Sequence, residues 1–139
     1  MRTLVISGSA KDQAAVRRWV DHRTGRGYEV VDYPAPIPQD RFVDEYPGVL
    51  QAFFDRLAEC DVLFVMNEDR KGVIGYVGAA TFAELSYAVV RNVRQQRPVE
   101  IIVLQPVGDD VHGADEINLW HDLGWIAFNS PEPGNPHGR

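Results

Sequence analysis

The stretch from residue 61 to residue 88 constrains the fold most. Asp61-Val62-Leu63-Phe64-Val65-Met66 is a short apolar run, rich in β-branched residues and without polar alternation. Such a run suits a strand buried on both faces, as in the centre of a parallel sheet. Next comes Asn67-Glu68-Asp69-Arg70-Lys71-Gly72, a polar insert longer than a turn needs. The chain then re-enters a helix through Gly75 to Ala88. A long ordered loop at the carboxyl end of a parallel strand is where α/β proteins bind ligands. Glu84 falls just inside the following helix, among small and apolar neighbours.

The same alternation runs through the rest of the chain. Thr3 to Ser7 reads as a first strand, ended by Gly8-Ser9. Asp12 can cap a helix carrying Ala15, Val16, Trp19 and Val20 at helical spacing. Gly25 and Gly27 close it, and Tyr28 to Asp32 is a second strand. Pro34, Pro36 and Pro38 impose an extended loop. A second helix is expected to follow Pro47, with Leu50, Phe53, Phe54 and Leu57 as its apolar stripe. A third helix is expected from about Ala79 to about Asn92, and a fourth strand from Val99 to Leu104. Asp115 to Leu123 reads as a short helix and Trp125 to Phe128 as a short last strand. Residues 1–129 form one domain on this reading, and 130–139, rich in proline and glycine, form a flexible tail. Strands alternating with helices imply an α/β, flavodoxin-like three-layer sandwich. Its five-stranded parallel sheet takes the order 2-1-3-4-5, with a ligand crevice between the ends of strands 1 and 3.

The bulk numbers narrow the partners. A net charge of −6 argues against a binder of duplex nucleic acid, which would show a basic stripe. A small anion is still compatible, since a few cations and backbone amides suffice to hold one. The amino-terminal apolar run is too short for the central segment of a signal peptide, and no stretch approaches membrane-spanning length. A single cysteine, Cys60, fits a reducing cytoplasm and reads as a small buried hydrophobe. His22, His112, His121 and His137 lack metal-ligand spacing, so no metal is expected, and no cofactor either.

Gly78-Ala79-Ala80-Thr81-Phe82-Ala83-Glu84-Leu85-Ser86-Tyr87-Ala88 resembles the helix opening of the nucleoside 2-deoxyribosyltransferase-like superfamily, which includes nucleotide N-glycosidases. Gly8-Ser9-Ala10-Lys11 is similar to the Gly-Ser turn of the nucleotide-hydrolysing branch. Asn67, Tyr76, Gly78, Thr81, Glu84 and Asp115-Glu116-Ile117 fit the pattern of an uncharacterised bacterial branch. The resemblance implies a small-molecule nucleoside or nucleotide as partner and a homo-oligomer. It implies Glu84 as the catalytic nucleophile, a 5′-phosphate at the Gly-Ser turn, and Asn118 as a residue reaching a neighbouring subunit's site. Two departures stand out. The transferases carry aspartates at the positions held here by Gly78, six residues before Glu84, and by Phe53, eight residues before Asp61.

The residues can be weighed on their own chemistry. A carboxylate such as Glu84 can stabilise or attack the oxocarbenium-like centre formed when an N-glycosidic bond breaks. It can equally pair structurally, with Arg91 at i+7. Thr81, one turn earlier on the same face, can donate to it. Asn67 and Asp69 can meet a sugar hydroxyl or protonate a base, or can be solvated loop residues; Glu68, Arg70 and Lys71 read as ordinary surface charges. Gly8, Ser9 and Lys11 can hold a phosphate at the start of the first helix, or merely join strand to helix. The expected function is an N-glycoside hydrolase or deoxyribosyltransferase acting at the sugar carbon. One alternative is a catalytically silent nucleotide-binding or sensing module. The other is an FMN-dependent reductase, since Ile6-Ser7-Gly8-Ser9 also resembles the start of that family.

Overall fold

The computed structural model describes residues 1–129; the expected tail from Ser130 onward lies outside them. The chain runs β1 (Thr3–Ser7), α1 (Gln13–Gly25), β2 (Glu29–Asp32), a 3-10 turn (Gln39–Arg41), α2 (Phe42–Glu59), β3 (Val62–Val65), α3 (Ala79–Val93), β4 (Glu100–Val103), α4 (Ala114–Asp122) and β5 (Ala127–Phe128). All sheet pairings are parallel and the order is β2-β1-β3-β4-β5, the flavodoxin-like arrangement. No helix among the described residues is long and apolar enough to cross a membrane.

Strand alternation sorts the core into two layers. Leu4, Ile6, Val62, Phe64 and Leu104 pack against Ala15, Val16 and Trp19 of α1. Val5, Leu63, Val65, Ile101 and Val103 face the other way, onto Phe53 and Leu57 of α2, Leu85 and Ala88 of α3 and Ile117 of α4. The β1 and β3 residues in both sets are fully buried, which explains their unbroken apolar sequence. Each such side chain contributes roughly 1.5–3 kcal/mol of burial free energy.

The amino edge of the sheet is fastened by side chains. Arg91 is 1 % exposed, and its guanidinium donates to the carbonyls of Leu57 (2.7 Å) and Cys60 (3.1 Å). Its Nε donates to the carbonyl of Arg97 at 3.1 Å. The end of α2 is thereby capped, and Arg91 does not pair with Glu84. Cys60 is buried beside it, and that burial pushes its thiol up.

Two elements depart from the sequence reading. Helix α2 begins at Phe42, before Pro47 rather than after it. Proline within a helix leaves the carbonyl four residues back without its N–H partner. That carbonyl belongs to Val43, and Val43 and Pro47 are both exposed, so water can take it. Strand β2 carries an irregularity: Leu4 pairs with Val30, but Val5 pairs with Asp32. One residue, Val31, is extra in the ladder.

Candidate active site

The carboxyl ends of β1, β2 and β3 open onto a cavity of about 510 Å³. Its floor is the Gly8–Lys11 turn and the first turns of α3, Gly78 to Thr81 with Glu84. One wall is Asp32 to Ile37; another is the outer half of α2, with Phe42, Tyr46, Val49, Leu50 and Phe53. Arg70 and Tyr76 close the remaining side. A second hollow of about 550 Å³ lies beside the β4–β5 edge, lined by Val89, Val93, Trp125 and Ile126 among others. Among the described residues Glu100 is its one charged side chain, so the chemistry-bearing groups converge in the first.

Glu84 is the most unusual of these groups. Leu85 and Ala88 turn inward into the core and hold α3 against β1 and β3. Glu84 sits beside them, only partly exposed, over the end of β1. The hydroxyl of Ser7 donates to its Oε1. Alternation accounts for that contact: Ser7 follows Val5 by two residues and faces the α3 side with it. Burial pushes the Glu84 carboxyl up to about 7; the Ser7 hydrogen bond opposes this, and the negative charge of Asp32 adds to it. The donor is therefore Ser7, while Thr81 lines the cavity one turn earlier. A carboxyl raised in this way in a cleft is a candidate for acid–base or nucleophilic chemistry.

The positive groups sit at the mouth. Residues 70–73 form a two-residue turn, with Arg70 and Val73 exchanging both backbone hydrogen bonds (3.0 and 2.9 Å). Lys71 and Gly72 both have positive φ, 52° and 77°, which is the type I′ geometry. This turn presents Arg70, whose guanidinium donates to Ser9 Oγ at 2.9 Å. Arg70 is thus drawn into the cavity rather than solvated with its neighbours. Lys11 lines the same side. Gly8 is required there, because a Cβ would lie 2.5 Å from Met66 Cγ.

Gly8, Ser9, Lys11, Gly78, Thr81 and Glu84 meet in this cavity. Asn67 and Asp69 serve the loop beside it. Asn67 is 2 % exposed and donates to the carbonyls of Gly75 (3.2 Å) and Gln105 (2.9 Å). Its Oδ1 accepts from the Gln105 amide at 3.2 Å. Asp69 Oδ1 accepts from the Gly75 amide and from Gln105 Nε2, both at 2.9 Å. These bonds pin the β3–α3 loop to Gln105, two residues past the end of β4. Glu68 turns toward α1, bonded to Arg18 and to the Trp19 indole. Asn118 lies exposed on α4, outside the cavity lining. Trp120 stacks on Phe82 with ring centroids 5.7 Å apart, a packing role.

Ser7, Asp32 and Arg70 join the site without having been singled out as ligands from sequence. Only Arg70 had a legible cue, its place in the loop after β3. No family model, no curated protein and no solved structure gives a significant match to this chain.

Proposed function

We propose that the protein cleaves the N-glycosidic bond of a nucleoside or nucleotide, with Glu84 acting at the sugar carbon. The observation that carries this is a single one: Glu84 is held by Ser7 in a cavity large enough for such a ligand, at the switch point of the sheet. The likeness of residues 78–88 to the nucleoside 2-deoxyribosyltransferase-like superfamily supports the same reading. In the step proposed, the carbon–nitrogen bond breaks and its electron pair leaves on the base nitrogen, which takes a proton from water. A Glu84 oxygen closes on the sugar carbon as the base departs. In this reading Ser9, Lys11 and Arg70, which line the same cavity, receive a phosphate at the far side of the sugar. The apolar wall of Phe42, Tyr46 and Val49 offers the base a stacking surface.

A second reading is a nucleotide-binding module without turnover. It is favoured by Gly78 and Phe53, which line the cavity where the characterised transferases place carboxylates. Incubation with a panel of ribo- and deoxyribonucleosides and their 5′-monophosphates separates the two. Release of free base, followed by chromatography, supports the glycosidase; saturable binding with no base released supports the module. Assembly into a homo-oligomer is part of the proposal. Val90 and Val93 on α3 are 52 % and 54 % exposed and free to meet a second copy, whereas Tyr87 is packed against Phe54 within the chain.

A further inference from the structure

Among the described residues the cavity is lined by two carboxylates, not one. Among its lining residues the acids are Glu84 and Asp32, and the bases are Lys11 and Arg70. Asp32 reaches the cavity because of the irregularity in β2. Val30 packs on the α1 side of the sheet and Val31 on the α2 and α3 side. Strict alternation would return Asp32 to the α1 side. The extra residue breaks that rhythm, and Asp32 instead reaches Arg56 of α2, with Nη1 to Oδ2 at 3.6 Å. Bulges re-aim side chains in this way and are enriched beside active sites. The other oxygen, Oδ1, accepts from the Tyr33 amide at 2.8 Å. Arg56 and this amide thus fix the position of the Asp32 carboxylate, whose negative charge acts on Glu84.

We propose that Asp32 is the general base for the water that releases the sugar from Glu84, a role that rests on the glycosidase reading above. In that step the water oxygen bonds to the sugar carbon while the bond from that carbon to the Glu84 oxygen breaks. The electron pair returns to the Glu84 carboxylate. The water's proton passes to Asp32 and then to bulk water, replacing the proton that the departing base took up. Asp32 thereby decides the fate of the intermediate. With it, water competes as acceptor; without it, only an acceptor that needs no deprotonation can finish the reaction. On this proposal the end of β2 supplies a carboxylate to a cavity that has none at Gly78, before α3, or at Phe53 of α2.

The test uses Asp32→Asn, which keeps an oxygen to accept from the Tyr33 amide, and Asp32→Ala, which opens room for an added anion. Base release from the best substrate of the nucleoside and monophosphate panel is followed from the first turnover, with and without sodium azide. The expected result is a burst of about one base per site and a steady rate lowered by about 100-fold or more, the usual cost of losing a general base. Mass spectrometry should show the sugar attached to Glu84, and azide should restore turnover, with glycosyl azide as product. Equal loss of burst and steady rate, or turnover like that of the unchanged protein, would overturn the role of Asp32 while leaving the glycosidase reading intact. No base release by the unchanged protein from any member of the panel would overturn both.

Discussion

Ser7 and Glu84 are 77 residues apart in the chain and share a hydrogen bond at the end of β1. The bond exists because α3 crosses the sheet over β1 and β3, with Leu85 and Ala88 buried beneath it. Its consequence is electrostatic. A partly buried carboxyl is pushed toward neutrality, and the hydroxyl pulls it part of the way back.

Glu84→Gln should therefore separate stability from activity. The folded carboxyl titrates near 7, above its ordinary 4.5, so between those values the folded protein binds more protons than the unfolded chain. Stability then falls as pH rises from about 4.5 to about 7, by on the order of 3 kcal/mol from this group. Glutamine removes that slope. Thermal melts should show the variant equal to or above the unchanged protein at pH 8, while any base release falls by about 100-fold or more. A clear loss of melting temperature at pH 8 would mark Glu84 as a structural anchor.

Ser7→Ala should move the pH profile rather than merely lower it. The Ser7 bond lowers the Glu84 pKa, so its loss lets the carboxyl rise further. A reaction needing the anion gains rate as pH rises through that value. Its rising limb should shift to higher pH in the variant, measured as kcat/KM against pH. A limb at the same pH would mean that Glu84 is not the group being titrated.

Arg70→Ala should discriminate between ligands. The guanidinium stands beside Ser9 in the cavity, at the phosphate position of the proposed function. KM for a 5′-monophosphate should rise by about tenfold or more, the cost of one charge-assisted hydrogen bond, while KM for the parent nucleoside stays within a factor of two or so. Equal effects on both would place the phosphate elsewhere.

Asn67→Ala should act on the fold. Three hydrogen bonds join its buried amide to Gly75 and Gln105. Removing them leaves backbone groups unsatisfied, at about 1–3 kcal/mol each for those that water cannot reach. A drop of several degrees in melting temperature is expected. An unchanged melting temperature would mean that the loop is not held by this clamp.

The pattern of what sequence could and could not show has a physical basis. Strands β1 and β3 were legible because burial on both faces demands continuous apolar residues, and that demand is local. Glu84 stood out for the converse reason, an acid where its neighbours are small and apolar. Ser7 carried no local signal: a serine ending a strand becomes a ligand of Glu84 only once α3 is laid over it. Asp32 was hidden by the extra residue in β2, which no periodicity announces. Asn67 and Asp69 were legible as unusual, yet their polar atoms are spent on Gly75 and Gln105, contacts that depend on where β4 ends. The start of α2 was misplaced because the propensity cost of Pro47 was weighed without knowing that its turn faces water.

The outer half of α2 has the geometry of a lever arm. The helix is buried at Phe53 and Leu57, while Phe42, Tyr46 and Val49 stand clear of the core as the cavity's far wall. From Phe53 to Phe42 the rod is about 16 Å long at helical rise. A tilt of about 10° pivoting at Phe53 would displace Phe42 by about 3 Å, widening the aperture with no backbone hydrogen bond broken in the helix. Such a tilt would change the girth of the cavity while leaving Ser7, Glu84 and the strand ends beneath them in place.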